Sequence, residues 1–463
     1  MSIKTIHLIA ACGTGMGTLA CMLQEAGYDV TGSDKNIYPP MSDFLMEKGI
    51  RLFKGFSPDN IAYKPDLVVI GNAVTKNNVE AKQVIKENTP YLSMPQALNK
   101  FFANDKKVIL ITGTHGKTTT ASIIAYILFM AGLDPSFMIG GILKDFNSSF
   151  HRGKGDYFVI EGDEYDTAFF DKGPKFMHFN PVITINTGIE FDHADIFKNL
   201  DHIKEIFTTF LNRLKTDTLL IASDENKNLN DIIDIVACKT EKFGQKSNYW
   251  SFENYVVKSN RACFTIKTPG KEKISIKTSL MGRHNIMNIL AAACAVKSIG
   301  VSNGILKKGL ENFSGIKRRQ EVRGIKNGIT IMDDFAHHPT AVKETIAAVK
   351  PFYKNGRVIA VFEPGTNTSM RDIFQDIYPN SFINADIVCI KEPAGITKIP
   401  AEKRMSAKKL VNDITATGIK AFYFHNTELI IDFISKQAKD GDLVLIMSNK
   451  GFDDIHLKIL KRL

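Results

Sequence analysis

Residues 109–120, ILITGTHGKTTT, decide how the rest of the chain is read. Val108 to Ile111 form an apolar run with the character of a buried strand, Gly113 and Gly116 close a tight turn, and Thr118 opens the apolar-periodic segment ASIIAYILFM as a helix. Strand, glycine turn and helix in that order make a phosphate loop. Backbone N–H groups of the turn and the helix N-terminus attract an anion, Lys117 reaches terminal phosphates, and Thr118 ligates Mg²⁺. The general spacing wants a glycine five positions before Gly116, where this chain has Ile111. Gly113, Thr114, His115, Gly116, Lys117, Thr118 and Thr119 are thus a narrower variant, GTxGKTT. A glycine turn with an exposed lysine is the bland alternative, and it leaves the order of strand, turn and helix unexplained.

A chain of 463 residues exceeds what one core supports, so several domains are expected. The 59 Lys and Arg against 49 Asp and Glu give a net charge of +10. That excess suits anionic small molecules or nucleic acid without choosing between them, and in the absence of a long basic run the bland reading of ordinary surface charge is favoured. Cys12, Cys21, Cys238, Cys263, Cys294 and Cys389 are scattered without a C-x-x-C pair and sit mostly in apolar stretches, as in a reduced, cytoplasmic protein. Near the N-terminus, Ile9-Ala10-Ala11-Cys12 mimics a lipoprotein cleavage site. The apolar stretch after Lys4 is shorter than a signal core, and Cys12 runs straight into a glycine turn. No stretch approaches the ~20 apolar residues of a membrane span.

In chain order, Ile6 to Ala11 reads as a strand, then CGTGMG as a glycine turn into a helix, then a second strand ending at Asp34. This is a dinucleotide-like half-site, with Gly13, Thr14, Gly15, Met16 and Gly17 for a diphosphate and Asp34 for a ribose or base. Its spacing is GxGxG, weaker than the full fingerprint, and such turns often only pack a helix on a strand. Pro39 and Pro40 mark a rigid loop, and a helix spans Asn78 to Glu87. The pattern predicts a first domain over 1–105, a central one over 106–316 and a third over 317–463, all α/β, the first with a parallel, doubly wound sheet. In the central domain DYFVIEGDEYD and PVITINTGIEFDHADIF are strands whose C-terminal ends carry Glu161 and His193, placed by architecture beside Lys117 and Thr118. Glu161, Thr118 and phosphate oxygens then share one Mg²⁺, with His193 for a second. Asp163, Glu164, Asp166, Glu190, Asp192 and Asp195 read equally well as caps and surface charge. Tyr249 to Ser279 alternates like antiparallel strands; Asn285 and Asn288 share a helix face, suited to an adenine, a phosphate or simple capping. Asp333, Asp334, His337 and His338 end a later strand before a helix beginning at Pro339, and adjacent histidines point apart and make poor co-ligands.

Three α/β units with a phosphate loop opening the middle one resemble the Mur ligases, the ATP-dependent amide-forming enzymes of peptidoglycan precursors. The resemblance spans essentially the whole chain through GTHGKTTT, IEGDEYD, NTGIEFDHADIF, MGRHNIMN, KRRQE and DDFAHHPT. CGTGMG, GSD and HHPT are similar to the branch acting on UDP-N-acetylmuramate. YPPMS, VIGNAVT, DEYDTAFFDK and MSN-x-GF are similar, more narrowly, to its members that join this sugar nucleotide to L-alanyl-γ-D-glutamyl-meso-diaminopimelate in cell-wall recycling. The resemblance implies ATP and Mg²⁺ as cofactors and an acyl-phosphate intermediate. It also implies Lys117, Glu161, His193 and Arg319 as catalytic, Asn285, Asn288, Arg319 and Asp334 around ATP, and UDP on the first-domain glycines and Asp34, with His337 and His338 on the substrate. NAD is not expected.

Two stretches depart from that pattern. EPGTNT puts Gly365 where the recycling branch carries an arginine, and SNKGFDD stands where it carries SNGGFGG. Arg371 and Lys450 are the candidates for a displaced positive charge. The nearest rival is the ligase that adds L-alanine to the same carboxylate. A nicotinamide-dependent dehydrogenase leaves the phosphate loop unexplained, and a P-loop switch or transport ATPase requires a partner for turnover rather than a carboxylate and an amine.

Overall fold

The computed structural model describes residues 3–37, 41–194 and 196–463, so Tyr38, Pro39, Pro40 and Asp195 lie outside the described residues. The first sheet is five-stranded and wholly parallel, in the order Arg51–Lys54, Asp29–Asp34, Thr5–Ile9, Leu67–Ile70, Tyr91–Ser93. The helix read from Asn78 runs Val79–Lys86, with the Asn78 side chain accepting the Glu80 and Ala81 amides as its N-cap.

The central sheet has seven strands in the order Lys239–Phe243, Leu219–Ser223, Pro181–Asn186, Lys107–Thr112, Tyr157–Glu161, Ser136–Leu143, Ser148–His151. Only the last pair is antiparallel. The strand entering the phosphate loop lies in the middle, where both faces are covered, which is why its sequence is an unbroken apolar run. The helix after the loop, Lys117–Met130, is buried on almost every side because it packs on this sheet and on helix Arg283–Ser298. Its even hydrophobicity follows from that double contact. A separate three-stranded antiparallel sheet, Ser251–Lys258, Arg261–Lys267 and Lys273–Thr278, answers the alternating stretch from Tyr249.

The third sheet runs Glu321–Lys326, Ile329–Asp334, Leu443–Met447, Val358–Phe362, Ile387–Lys391, Lys420–Phe424 and is parallel apart from its first pair. It rests on the central unit at the phosphate-loop edge: Thr340 Oγ1 donates to Glu190 at 2.7 Å, and the Ala194 amide donates to Thr368 Oγ1 at 3.1 Å. The first unit is tied to the central one elsewhere, through Thr18 with Ser149 at 3.0 Å and Ser93 donating to Asp171 at 2.6 Å.

Candidate active site

The turn after Lys107–Thr112 needs two left-handed glycines, Gly113 at φ 109° and Gly116 at φ 80°. Both are also closely packed. A Cβ on Gly113 would lie 2.4 Å from Thr187 Oγ1, and one on Gly116 2.3 Å from Asn288 Oδ1. The loop is stitched to the next strand end, with the Thr114 amide donating to Gly188 O at 2.8 Å and the Glu190 amide to Thr114 Oγ1 at 2.8 Å. The open N-terminus of the following helix and this rigid turn together form an anion cradle.

Lys117 folds back over the turn, donating to Gly113 O at 2.7 Å and to Glu164 Oε2 at 2.9 Å. Burial pushes its ammonium pKa down, but Glu164, Asp163 and Glu161 outweigh burial and hold it above the ordinary value. The ammonium is therefore charged and screened from water, the state in which it stabilises phosphoryl oxygens most strongly. Thr118 Oγ1 donates to Glu161 Oε2 at 2.9 Å, while the Gly140 amide donates to the other oxygen at 2.6 Å. Burial first, and Asp163 second, raise the Glu161 carboxyl above the usual range. Buried acidic groups joined by a hydroxyl are an all-oxygen donor set short of positive charge, which fits a hard cation such as Mg²⁺. His193, at φ 52°, brings Nε2 to 3.6 Å from Glu164 Oε1 and so stands beside the same acidic group.

Asn285 and Asn288 are buried and do not cap their helix. Asn288 donates to Asn285 Oδ1 at 3.2 Å, and Asn285 donates to Met281 O at 2.8 Å and Gln320 Oε1 at 3.1 Å. Since Asn288 also presses on Gly116, this row links the phosphate loop to the segment carrying Arg319. Arg318 and Gln320 both take left-handed backbone, at φ 62° and 48°, and Arg319 lies over the Phe335 ring at 4.7 Å. Burial lowers the Arg319 pKa, with Asp334 opposing it. Asp334 accepts the Gln320 and Ala336 amides, each at 2.8 Å, and each carboxylate oxygen retains further acceptor capacity.

His337 Nδ1–H donates to Phe335 O at 3.0 Å, which leaves Nε2 as an acceptor. His338 is different. Its Nε2 donates to Phe191 O at 3.2 Å and its Nδ1 accepts the Thr340 amide at 3.3 Å, capping helix Pro339–Val349. The Nε2 bond docks the third unit on the central one and the Nδ1 bond caps the third unit's own helix, so both ring nitrogens have partners within the protein. His115, Glu190 and His338, whose ligating atoms lie within 4.8 Å of one another, meet at this junction, with His115 Nε2 3.4 Å from Glu190 and Thr340 donating to the same carboxylate. Burial, then His115, depress the His338 pKa to about 4.

In the first unit, Gly13 has nothing within 4 Å of a would-be Cβ, whereas Gly15 meets Met94 at 3.1 Å and Gly17 meets Met41 at 2.4 Å. Packing accounts for two of the three glycines, and only Gly13 faces open space at the start of helix Thr14–Glu25. Met16 packs over Gly71, and Asp34 steadies the turn by accepting the Cys12 amide at 2.9 Å. Sequence reasoning undervalued Glu164, Asp163, Glu190 and Gln320. DEYD and IEFDH carried the signal, since a strand-end carboxylate opposite a phosphate-loop lysine has a partner waiting, but single acidic residues look alike before the strands are ordered.

Such a loop, between two further α/β units, defines a nucleotide-dependent ligase architecture, and the comparisons specify it. Residues 5–106 match the Mur ligase family catalytic domain, 111–296 the Mur ligase middle domain and 318–450 the Mur ligase glutamate ligase domain. The chain is 38% identical over 98% of its length, and 97% of the other, to the UDP-N-acetylmuramate–L-alanyl-γ-D-glutamyl-meso-2,6-diaminoheptandioate ligase of Escherichia coli. It is 33% identical over 98% of its length, and 96% of the other, to the UDP-N-acetylmuramate–L-alanine ligase of Clostridium tetani. A crystal structure of a murein peptide ligase from Psychrobacter arcticus superposes with a TM-score of 0.73 at 33% identity, covering 99% of this chain and 98% of that one. The protein belongs to the Mur ligase family. It is an ATP-dependent, ADP-forming amide ligase with the three-unit α/β fold of that family.

Proposed function

We propose that this protein joins UDP-N-acetylmuramate to L-alanyl-γ-D-glutamyl-meso-diaminopimelate in peptidoglycan recycling. The observation that carries the reading is full-length similarity, at 38% and 36% identity, to two ligases named for that reaction, set against 33% for an L-alanine ligase. In the reaction, a carboxylate oxygen of the muramic acid attacks the terminal phosphorus of ATP and ADP leaves. The peptide's amine then attacks the acyl carbon, phosphate departs with the C–O bond electrons, and the amine loses a proton. Little covalent work falls to the protein, so charge placement dominates.

Lys117 and Arg319 carry that charge in our reading, held by Glu164 and by the Phe335 ring. Thr118 and Glu161 would hold one Mg²⁺ and His193 another, the metals neutralising the transferring phosphoryl group. Gly113 to Thr119, Asn285, Asn288 and Asp334 surround ATP, the Gly13 turn and Asp34 receive UDP, and His337 turns to the substrate. Units 1–105, 106–316 and 317–463 then divide the labour among sugar nucleotide, ATP and incoming amine. No described helix is long and apolar enough to cross a membrane. With six free cysteines and ATP as cosubstrate, we place the reaction in the cytoplasm, without nucleic-acid or membrane partners. Phosphate release with ATP, Mg²⁺ and UDP-N-acetylmuramate, compared between the tripeptide and free L-alanine, tests this. Tripeptide-dependent turnover is expected, and turnover with L-alanine alone would replace the reading by the biosynthetic reaction.

A further inference from the structure

The mechanism above uses the linker and one strand end of the third unit. Three neighbouring loops at the same sheet edge, residues 363–371, 392–398 and 448–454, have no role in it, although the carboxyl edge of an open α/β sheet is where ligands sit. Two of them are fixed to the active site. Loop 363–371 accepts the Ala194 amide, next to His193, through Thr368 at 3.1 Å. Loop 448–454 is held by Arg318, next to Arg319, whose guanidinium donates to Ser448 O and Lys450 O at 2.6 Å each.

Lys450 lies between these anchors. Its Cγ and Cδ come within 3.0 and 3.1 Å of where a Gly365 Cβ would stand, so the lysine stem occupies the space that glycine leaves. Its ammonium donates to Ala394 O at 2.8 Å and makes no ion pair among the described residues. Glu363, the nearby acid, is already bound to Lys391 at 2.6 Å, both side chains buried. Burial and the neighbouring Lys398 and Lys391 lower the Lys450 pKa, which a bound anion would reverse. Beside it, Asn449 Oδ1 is buried without a hydrogen-bond partner, at 2.3 Å from the same Gly365 Cβ position. Phe452, Asp453 and Asp454 hold successive left-handed backbone at φ 50°, 51° and 54°, a strained segment of the kind found at ligand clamps. Of the two candidates for a displaced charge, Lys450 is the one that lies on Gly365.

A cation lacking an anion and an acceptor lacking a donor, side by side, match a group carrying one carboxylate and one ammonium. We propose that Lys450 and Asn449 bind the zwitterionic amino-acid end of the peptide acceptor, the end remote from its reacting amine, and thereby set acceptor specificity. The inference rests on the peptide-ligase reading above and names its substrate contacts.

The test compares two tripeptides, one ending in meso-diaminopimelate and one in L-lysine, which keeps an ammonium at its far end but no carboxylate there. In Lys450→Met the stem on Gly365 is retained and the charge removed. KM for the diaminopimelate peptide should rise at least about tenfold while KM for ATP, UDP-N-acetylmuramate and the lysine peptide stays within about twofold. Gly365→Ala, which pushes the stem aside with the charge intact, should move the same KM in the same direction. Equal changes for both peptides, a parallel rise in KM for ATP, or no change would overturn the subsite while leaving the ligase reading intact. A wild-type enzyme silent with both peptides but active on L-alanine would overturn both.

Discussion

Two glycine turns in this molecule share one plan, strand into turn into helix, yet they are built differently. In the central turn the backbone is left-handed at Gly113 and Gly116 and the space of a Cβ is filled by Thr187 and Asn288. Lys117 and the Glu161–Glu164 acids crowd around it. In the first turn none of Gly13, Gly15 and Gly17 is left-handed, and Asp34 is tied to the Cys12 amide. On the proposed function the difference separates two tasks. A turn that only holds a diphosphate needs amides and a helix terminus, whereas one that handles a transferring phosphoryl group also needs buried, opposed charges.

The sharpest way to break this contrast is to remove the charge. Lys117→Met should lower kcat at least about a thousandfold, since it removes the phosphate-directed cation and leaves Glu164 buried without its partner. An enzyme retaining a tenth of its rate would show that the acids and the lysine are structural. Gly116→Ala tests the backbone instead. It forces an L side chain into φ 80° against Asn288, and phosphate release should fall about a hundredfold with a smaller loss of stability.

In the first turn packing should dominate. Gly17→Ala would bring a methyl group to 2.4 Å from Met41 Sδ and 3.2 Å from Ala11 O. Unfolding free energy should drop by about 1–3 kcal/mol, read by denaturant titration, with kcat on the surviving folded enzyme little changed. A large kcat effect with unchanged stability would make this turn a chemical site like its counterpart.

The central turn also differs in being clasped by the third unit through Glu190, Thr340 and His338, and that clasp has a pH signature. His338 is held at about 4 in the folded protein by burial and His115, below the ~6.5 of an unfolded histidine. The unfolded chain therefore binds more protons between these values, so stability contributed here is present above about 6.5 and is lost as pH falls towards 4. Thermal melts over that window should fall by several degrees in the wild type, less steeply in His338→Gln. Identical slopes would remove His338 from the clasp.

The fold was legible because apolar runs with acidic strand ends recur in all three units, two of them with a glycine turn, and parallel strands write their burial as unbroken hydrophobic sequence. Lys117, Thr118 and Glu161 were legible because motif and topology place them at one edge. Glu164 and Glu190 were not, because their importance comes from what lies opposite them, Lys117 in one case and His115 with Thr340 in the other. His338 carries a structural part that its cluster did not announce: it caps a helix and docks a domain. Gly15 and Gly17 read as ligand glycines, and the structure adds a packing demand at both, with Met94 and Met41 beside them.

Among the three glycines of the first turn, Gly13 is the one where a methyl group meets no neighbour, and it separates binding from packing with the smallest expected effect. A methyl group there meets no atom within 4 Å, and the backbone at φ −72° suits any residue, so Gly13→Ala should leave the melting temperature unchanged. If a diphosphate approaches the helix terminus at this point, the methyl stands in its path. KM for UDP-N-acetylmuramate should then rise about three- to tenfold while KM for ATP holds steady, because our proposal places the second nucleotide on the other turn. An unchanged KM for the sugar nucleotide would move it off this turn. A rise in KM for ATP would mean that the two turns do not divide the nucleotides between them, and the contrast in their construction would need another cause.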